Sequence, residues 1–123
     1  MSWNESPQHF RGKARLEKIL LEDNWSIRYR DGETSYKLLT NKGEREYWPD
    51  ILAEREDFGL VDFEVDGKKG HSTESDFAKM KVRDQSLMEI KIRVVRIKTP
   101  DLVGRRKQTD ELIKQEYNWQ LFG

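Results

Sequence analysis

The segment Leu60–Asp66 constrains the chain more than any other. Read as a strand, it puts Val61, Phe63 and Val65 on one face and Asp62, Glu64 and Asp66 on the other. Like charges on one strand face, spaced about 7 Å apart, repel each other. A solvent-facing edge strand would accommodate Asp62. It fits Glu64 and Asp66 less well, because the strand leads into a helix and then another strand. Ser72-Thr73-Glu74-Ser75 opens a helix running to about Glu89, and Lys91–Lys98 is the next strand. Such a strand–helix–strand unit implies a parallel pair with a right-handed crossover. The acid-bearing strand should therefore be central.

Earlier segments read as antiparallel neighbours. Ser6-Pro7 is a helix start, with a capping hydroxyl and a proline at the first helical position, and the helix runs from Gln8 to about Asp23. Asn24–Arg30 alternates as a strand, Asp31-Gly32 is a turn, and Ser35–Thr40 is a second strand. Asn41-Lys42-Gly43 turns again. Glu46–Ala53 reads as a third strand whose internal Pro49 demotes it to an edge or a bulge. Thr99-Pro100-Asp101 starts a last helix that ends near Trp119. The expected architecture is α/β, a mixed sheet flanked by helices, in one domain over 1–123.

Composition removes several alternatives. Leu, Ile, Val and Phe make up roughly a quarter of the chain, enough for a modest core. The absence of cysteine excludes disulfides and thiolate metal sites. No apolar run is long enough to span a membrane and the start does not read as a signal peptide, so no membrane partner is expected and the cytoplasm is the default compartment. Lys+Arg and Asp+Glu balance at 23 each, which argues against a simple polycationic coat for nucleic acid but leaves room for a local basic patch.

Further acids fall where core positions are expected. A helix advances about 100° per residue, so Phe77, Met80, Leu87 and Met88 share an arc with Asp84 inside it. In the first helix Phe10, Ala14, Leu20 and Leu21 share an arc that contains Glu17. A charge on an apolar face costs several kcal/mol unless it is paired or metal-bound. Either a nearby Lys13 or Arg83 neutralises each acid, or a divalent cation collects them. Asp50 ends its own segment beside Trp48-Pro49. His71 follows Asp66 closely, and a His beside carboxylates exchanges protons near neutral pH. His9 lacks such company and reads as a surface residue.

The same residues carry a resemblance. Pro49-Asp50 followed by Asp66-Gly67-Lys68 resembles the PD-(D/E)xK nuclease superfamily. The run Phe63–His71, then Asp76, Lys81-Val82-Arg83-Asp84, Leu87 and Ile92–Ile97, is similar to its very-short-patch-repair-like branch. That branch includes phage-type homing endonucleases with a Glu, Asp, His, Asp signature. The likeness spans roughly residues 10–98. It implies a restriction-endonuclease-like fold and Mg²⁺-dependent hydrolysis of DNA phosphodiesters, with Mn²⁺ as a substitute. By that likeness Asp50 is the central metal ligand, and the Glu64–Asp66 segment supplies a second, including the Val65 carbonyl. His71 handles a proton, and Glu17 and Asp84 order metal-bound water or His71. Lys68 polarises the phosphate if Asp66-Gly67-Lys68 is the true register. It is only a nearby base if Glu64-Val65-Asp66 is, and the second register gives Glu17, His71 and Asp84 roles. The repair enzymes carry a cysteine-containing zinc site that this chain lacks, which argues against mismatch repair.

Phosphate contacts are expected from Arg11, Lys13, Arg15, Lys68, Lys69 and Gly104-Arg105-Arg106-Lys107, with Trp3 available to stack on bases. No separate DNA-reading module is visible, so specificity would come from a homodimer, from loops or from another partner. The expected function is a free-standing Mg²⁺-dependent endonuclease of the homing type. The alternative is a non-catalytic nucleic-acid-binding or assembly protein on a nuclease-like scaffold.

Overall fold

A computed structural model describes residues 6–30, 36–40, 43–67, 78, 81–82, 87 and 92–122. Helix α1 spans Pro7–Glu22, and the Ser6 hydroxyl caps it by accepting from the His9 N–H at 3.1 Å. It ends at Asn24, whose φ of 67° closes the last turn, while the Trp25 N–H donates back to the Leu20 carbonyl. Strands β1 (Ser26–Arg30), β4 (Ile51–Arg55), β5 (Gly59–Asp66) and β6 (Arg93–Lys98) form one sheet in the order β1-β4-β5-β6. The β1–β4 and β4–β5 pairs are antiparallel and β5–β6 is parallel. Strands β2 (Tyr36–Thr40) and β3 (Gly43–Tyr47) make a separate antiparallel hairpin. Two helices follow β6: the single turn α2 (Thr99–Leu102) and α3 (Asp110–Phe122).

The expected mixed sheet flanked by helices is present, and β5 is interior, with β4 and β6 as neighbours. Three features differ from expectation. The segment 46–53 is two strands in two sheets, split at Trp48-Pro49-Asp50, and its second half, β4, is central rather than an edge. Pro49 lacks the N–H a ladder needs, so the chain leaves one sheet there and enters the other. Strand β1 pairs with β4 across the inserted hairpin, not with its sequence neighbour β2. The last helix is broken at Val103, and a loop with Gly104 at φ 102° precedes α3.

One face of the sheet carries the main core. Ile51, Ala53, Val61, Phe63, Val65, Val95 and Ile97 meet Leu16, Ile19 and Leu20 of α1, Leu102 of α2, and Ile113, Tyr117 and Leu121 of α3. Trp25 packs edge-on against Phe63 and Tyr117, with ring centroids 5.0 and 6.2 Å away. The buried side of α1 is Gly12, Lys13, Leu16, Ile19 and Leu20, whereas Phe10, Ala14 and Leu21 are exposed. The arc expected from Phe10, Ala14, Leu20 and Leu21 is therefore displaced. Gly12 explains the choice: a Cβ there would lie 3.3 Å from Val65 Cγ1, so the helix approaches β5 closely at a residue without a side chain.

The opposite face holds a smaller cluster of Tyr29, Leu52, Tyr47 from the hairpin, Leu87 and Ile92. Ala78, Lys81, Val82 and Leu87 are helical, as expected of the crossover segment. The rest of the helix proposed for 72–89, with Asp84, lies outside the described residues. So do Trp3, Lys68, Lys69, His71 and the turns at 31–32 and 41–42.

Candidate functional site

The site is a single cross-strand rung. Ile51 pairs with Phe63, so Asp50, one residue before β4, stands across from Glu64. Two reciprocal hydrogen bonds lock the pair. The Asp50 N–H donates to Glu64 Oε2 at 2.8 Å, and the Val65 N–H donates to Asp50 Oδ2 at 2.8 Å. Each carboxylate is oriented by a charge-assisted bond from a backbone N–H. Glu64 is 8% exposed and Asp50 partly exposed, so the rung opens to solvent at its Asp50 end. Pro49, buried behind it, sets the approach of the strand.

His9 closes the rung from α1. Its Nε2 donates to the Val65 carbonyl at 2.7 Å and lies 3.5 Å from Asp50 Oδ2. Expected at the surface, it instead sits where helix and sheet meet. A signal for this was present: residues 9, 12, 13, 16 and 20 share one side of a helix whose register Ser6 fixes. Apolar periodicity alone does not mark this position, because the imidazole is polar.

The other expected site residues are placed differently. Glu17 accepts from Arg30 Nε at 2.8 Å, an ion pair bridging α1 and β1 rather than part of the rung. Asp66 lies 3.8 Å from the Arg96 guanidinium, and its carbonyl accepts from the Thr99 hydroxyl at the start of α2. Arg96 is the β6 partner of Glu64, which extends the polar row from Asp50, just before β4, through Glu64 on β5 to Arg96 on β6. Asp62, on the same face as Glu64, is wholly buried and accepts a short hydrogen bond from the Tyr47 hydroxyl. The hairpin covering it explains how three acids can line a strand that is central. Among the described residues no three His, Asp or Glu side chains form a metal-holding group. Asp84 and His71 are outside that set.

The basic residues divide as well. Arg105 and Arg106 are exposed on the loop after α2. Lys13 is 9% exposed, on the buried side of α1, and so is not the solvent-facing phosphate contact expected of it. Arg15 is also engaged: it donates to the carbonyls of Leu102 (2.8 Å) and Gln108 and to the Asp110 carboxylate (2.8 Å), tying α1 to the loop before α3.

No family model matches this chain, and no curated protein or solved structure is found similar to it. Its class is therefore stated from its own topology, an α/β domain built on a four-stranded mixed sheet. Among the described residues, no helix is long and apolar enough to cross a membrane.

Proposed function

We propose that this protein is a Mg²⁺-dependent DNA endonuclease. The observation that carries the reading is the Asp50–Glu64 rung, with both carboxylates oriented by backbone N–H groups and the Val65 carbonyl beside them. The residues fit the metal. All three groups offer oxygen, and one or two carboxylates are the usual protein share for Mg²⁺. Asp50 and Glu64 would hold it, and Mn²⁺ takes the same donors; the Val65 carbonyl would join them only on release of the His9 N–H that it accepts. When bound, the ion would supply counter-charge for the phosphate and an acidified water. Asp50 and Glu64 keep their orientation before substrate arrives, because each is tied to the other's strand. His9 holds the Val65 carbonyl and keeps α1 against the rung. Arg105 and Arg106 contact phosphates, together with Lys68 and Lys69. By the resemblance, His71 handles the proton of the attacking water, with Glu17, Asp66 and Asp84 in support. We take DNA as the substrate, a second copy of the chain as a source of selectivity, and the cytoplasm as the compartment.

The test is incubation of supercoiled plasmid with the protein and Mg²⁺. Cleavage abolished by EDTA and by Asp50→Ala is the expected result. A contaminating nuclease would cut equally well beside the variant. DNA binding by the wild type without any cutting would favour a non-catalytic scaffold instead.

A further inference from the structure

The residue two before Asp50 is an exposed tryptophan. Trp48 is 55% exposed, yet it lies in a segment anchored on both sides. Before it, Tyr47 is buried and donates to Asp62. After it, Pro49 is buried and Asp50 is fixed to Glu64 and Val65. More than half of this indole faces water although its backbone is restrained. A second aromatic has the same relation to the site. Phe10 is 63% exposed and follows His9, whose ring lies 3.5 Å from Asp50. Two exposed aromatic residues thus lie close in sequence to groups of the rung, Trp48 in the segment that joins β3 to β4 and Phe10 next to His9 on α1.

Charge supports a role for them. Basic and acidic residues balance at 23 each, so counterion release is a weaker source of affinity than in a strongly basic protein. Stacking of bases on aromatic rings is the other general source, and it requires bases that are not already stacked in a duplex. We propose that Trp48, assisted by Phe10, is a base-stacking platform beside the Asp50–Glu64 rung. The preferred substrate is then single-stranded or locally unpaired nucleic acid. This rests on reading that rung as the place where a phosphodiester sits.

The experiment measures binding in EDTA, where no cleavage occurs, using a short oligothymidine and a duplex of the same length. Oligothymidine should bind at least about ten-fold more tightly than the duplex and quench tryptophan emission. Trp48→Ala should weaken oligothymidine binding by about ten-fold, with Phe10→Ala weaker in effect. Trp48→Phe should keep most of the affinity and lose the quench. An unchanged thermal midpoint confirms that each variant is folded. Equal affinity for both probes, or no loss in Trp48→Ala, overturns the proposal. Cutting of a single-stranded circular DNA in Mg²⁺ separates the two readings. Cutting retained while Trp48 proves irrelevant removes only the stacking platform. Trp48-dependent binding with no cutting removes only the nuclease.

Discussion

The two faces of β5 solve opposite problems with alternate residues of one strand. Val61, Phe63 and Val65 enter an apolar core against three helices. Asp62 and Glu64 are buried almost as deeply on the other side, and there each carboxylate requires named donors: Tyr47 for one, the Asp50 N–H for the other. Apolar burial is non-directional and roughly additive in area. Carboxylate burial depends on particular partners, and losing one leaves a desolvated charge. The first face therefore stabilises the fold, while the second pins down the hairpin and the rung at the sheet's end.

The largest expected effect lies on the apolar face. Phe63→Ala should cost about 3–5 kcal/mol by chemical denaturation, since Phe63 packs between Trp25 and Tyr117. Tyr47→Phe should cost less, about 1–3 kcal/mol, because it removes one donor from buried Asp62 without opening a cavity. A Tyr47→Phe loss equal to or above that of Phe63→Ala would break the contrast between the faces.

A third experiment probes the polar rim of the apolar face. The Tyr117 hydroxyl donates to Asp23, and burial, then that carboxylate, pushes its pKa well above the ordinary value of 10.0. The neutral phenol is thus favoured in the folded state. Its stabilisation is complete below pH 10 and declines as pH rises toward the folded value, with a limiting slope of about 1.4 kcal/mol per pH unit. Tyr117→Phe should flatten the alkaline limb of the stability profile measured in urea. An unchanged limb would show that Tyr117 does not govern it. The smallest effect is expected for Gly12→Ala. A gain of up to about 1 kcal/mol in helix propensity opposes the 3.3 Å contact with Val65. Denaturation midpoints should stay close to wild type, whereas Gly12→Leu should displace α1 and lower stability by about 1–3 kcal/mol.

The β6 edge of the sheet is covered by a side chain. At β6 the Gln120 side chain accepts from the Arg96 N–H at 2.9 Å and donates to its carbonyl at 2.8 Å, copying the ladder a further strand would make. This occupies backbone groups that would otherwise recruit another chain. Nothing in the pattern around Gln120 announces that role, since it depends on α3 packing alongside β6.

Periodicity and punctuation were legible in the sequence: the Ser6-Pro7 start of α1, the alternation of β5, its central position, and the parallel return at β6. These follow from local geometry, because a strand sorts side chains by parity and a proline or capping hydroxyl acts within one turn. The Asp50–Glu64 segment could be marked out, but not the pairing of Glu17 with Arg30, the arrival of His9 at Val65, or the burial of Lys13. Those depend on which of several overlapping arcs α1 turns toward the sheet. The close approach at Gly12 settled that arc. The split at Pro49 likewise became two sheets only when β1 found β4 across the intervening hairpin. Sequence set the faces of each element. Tertiary packing chose which faces meet, because that choice depends on shape and charge brought together from distant parts of the chain.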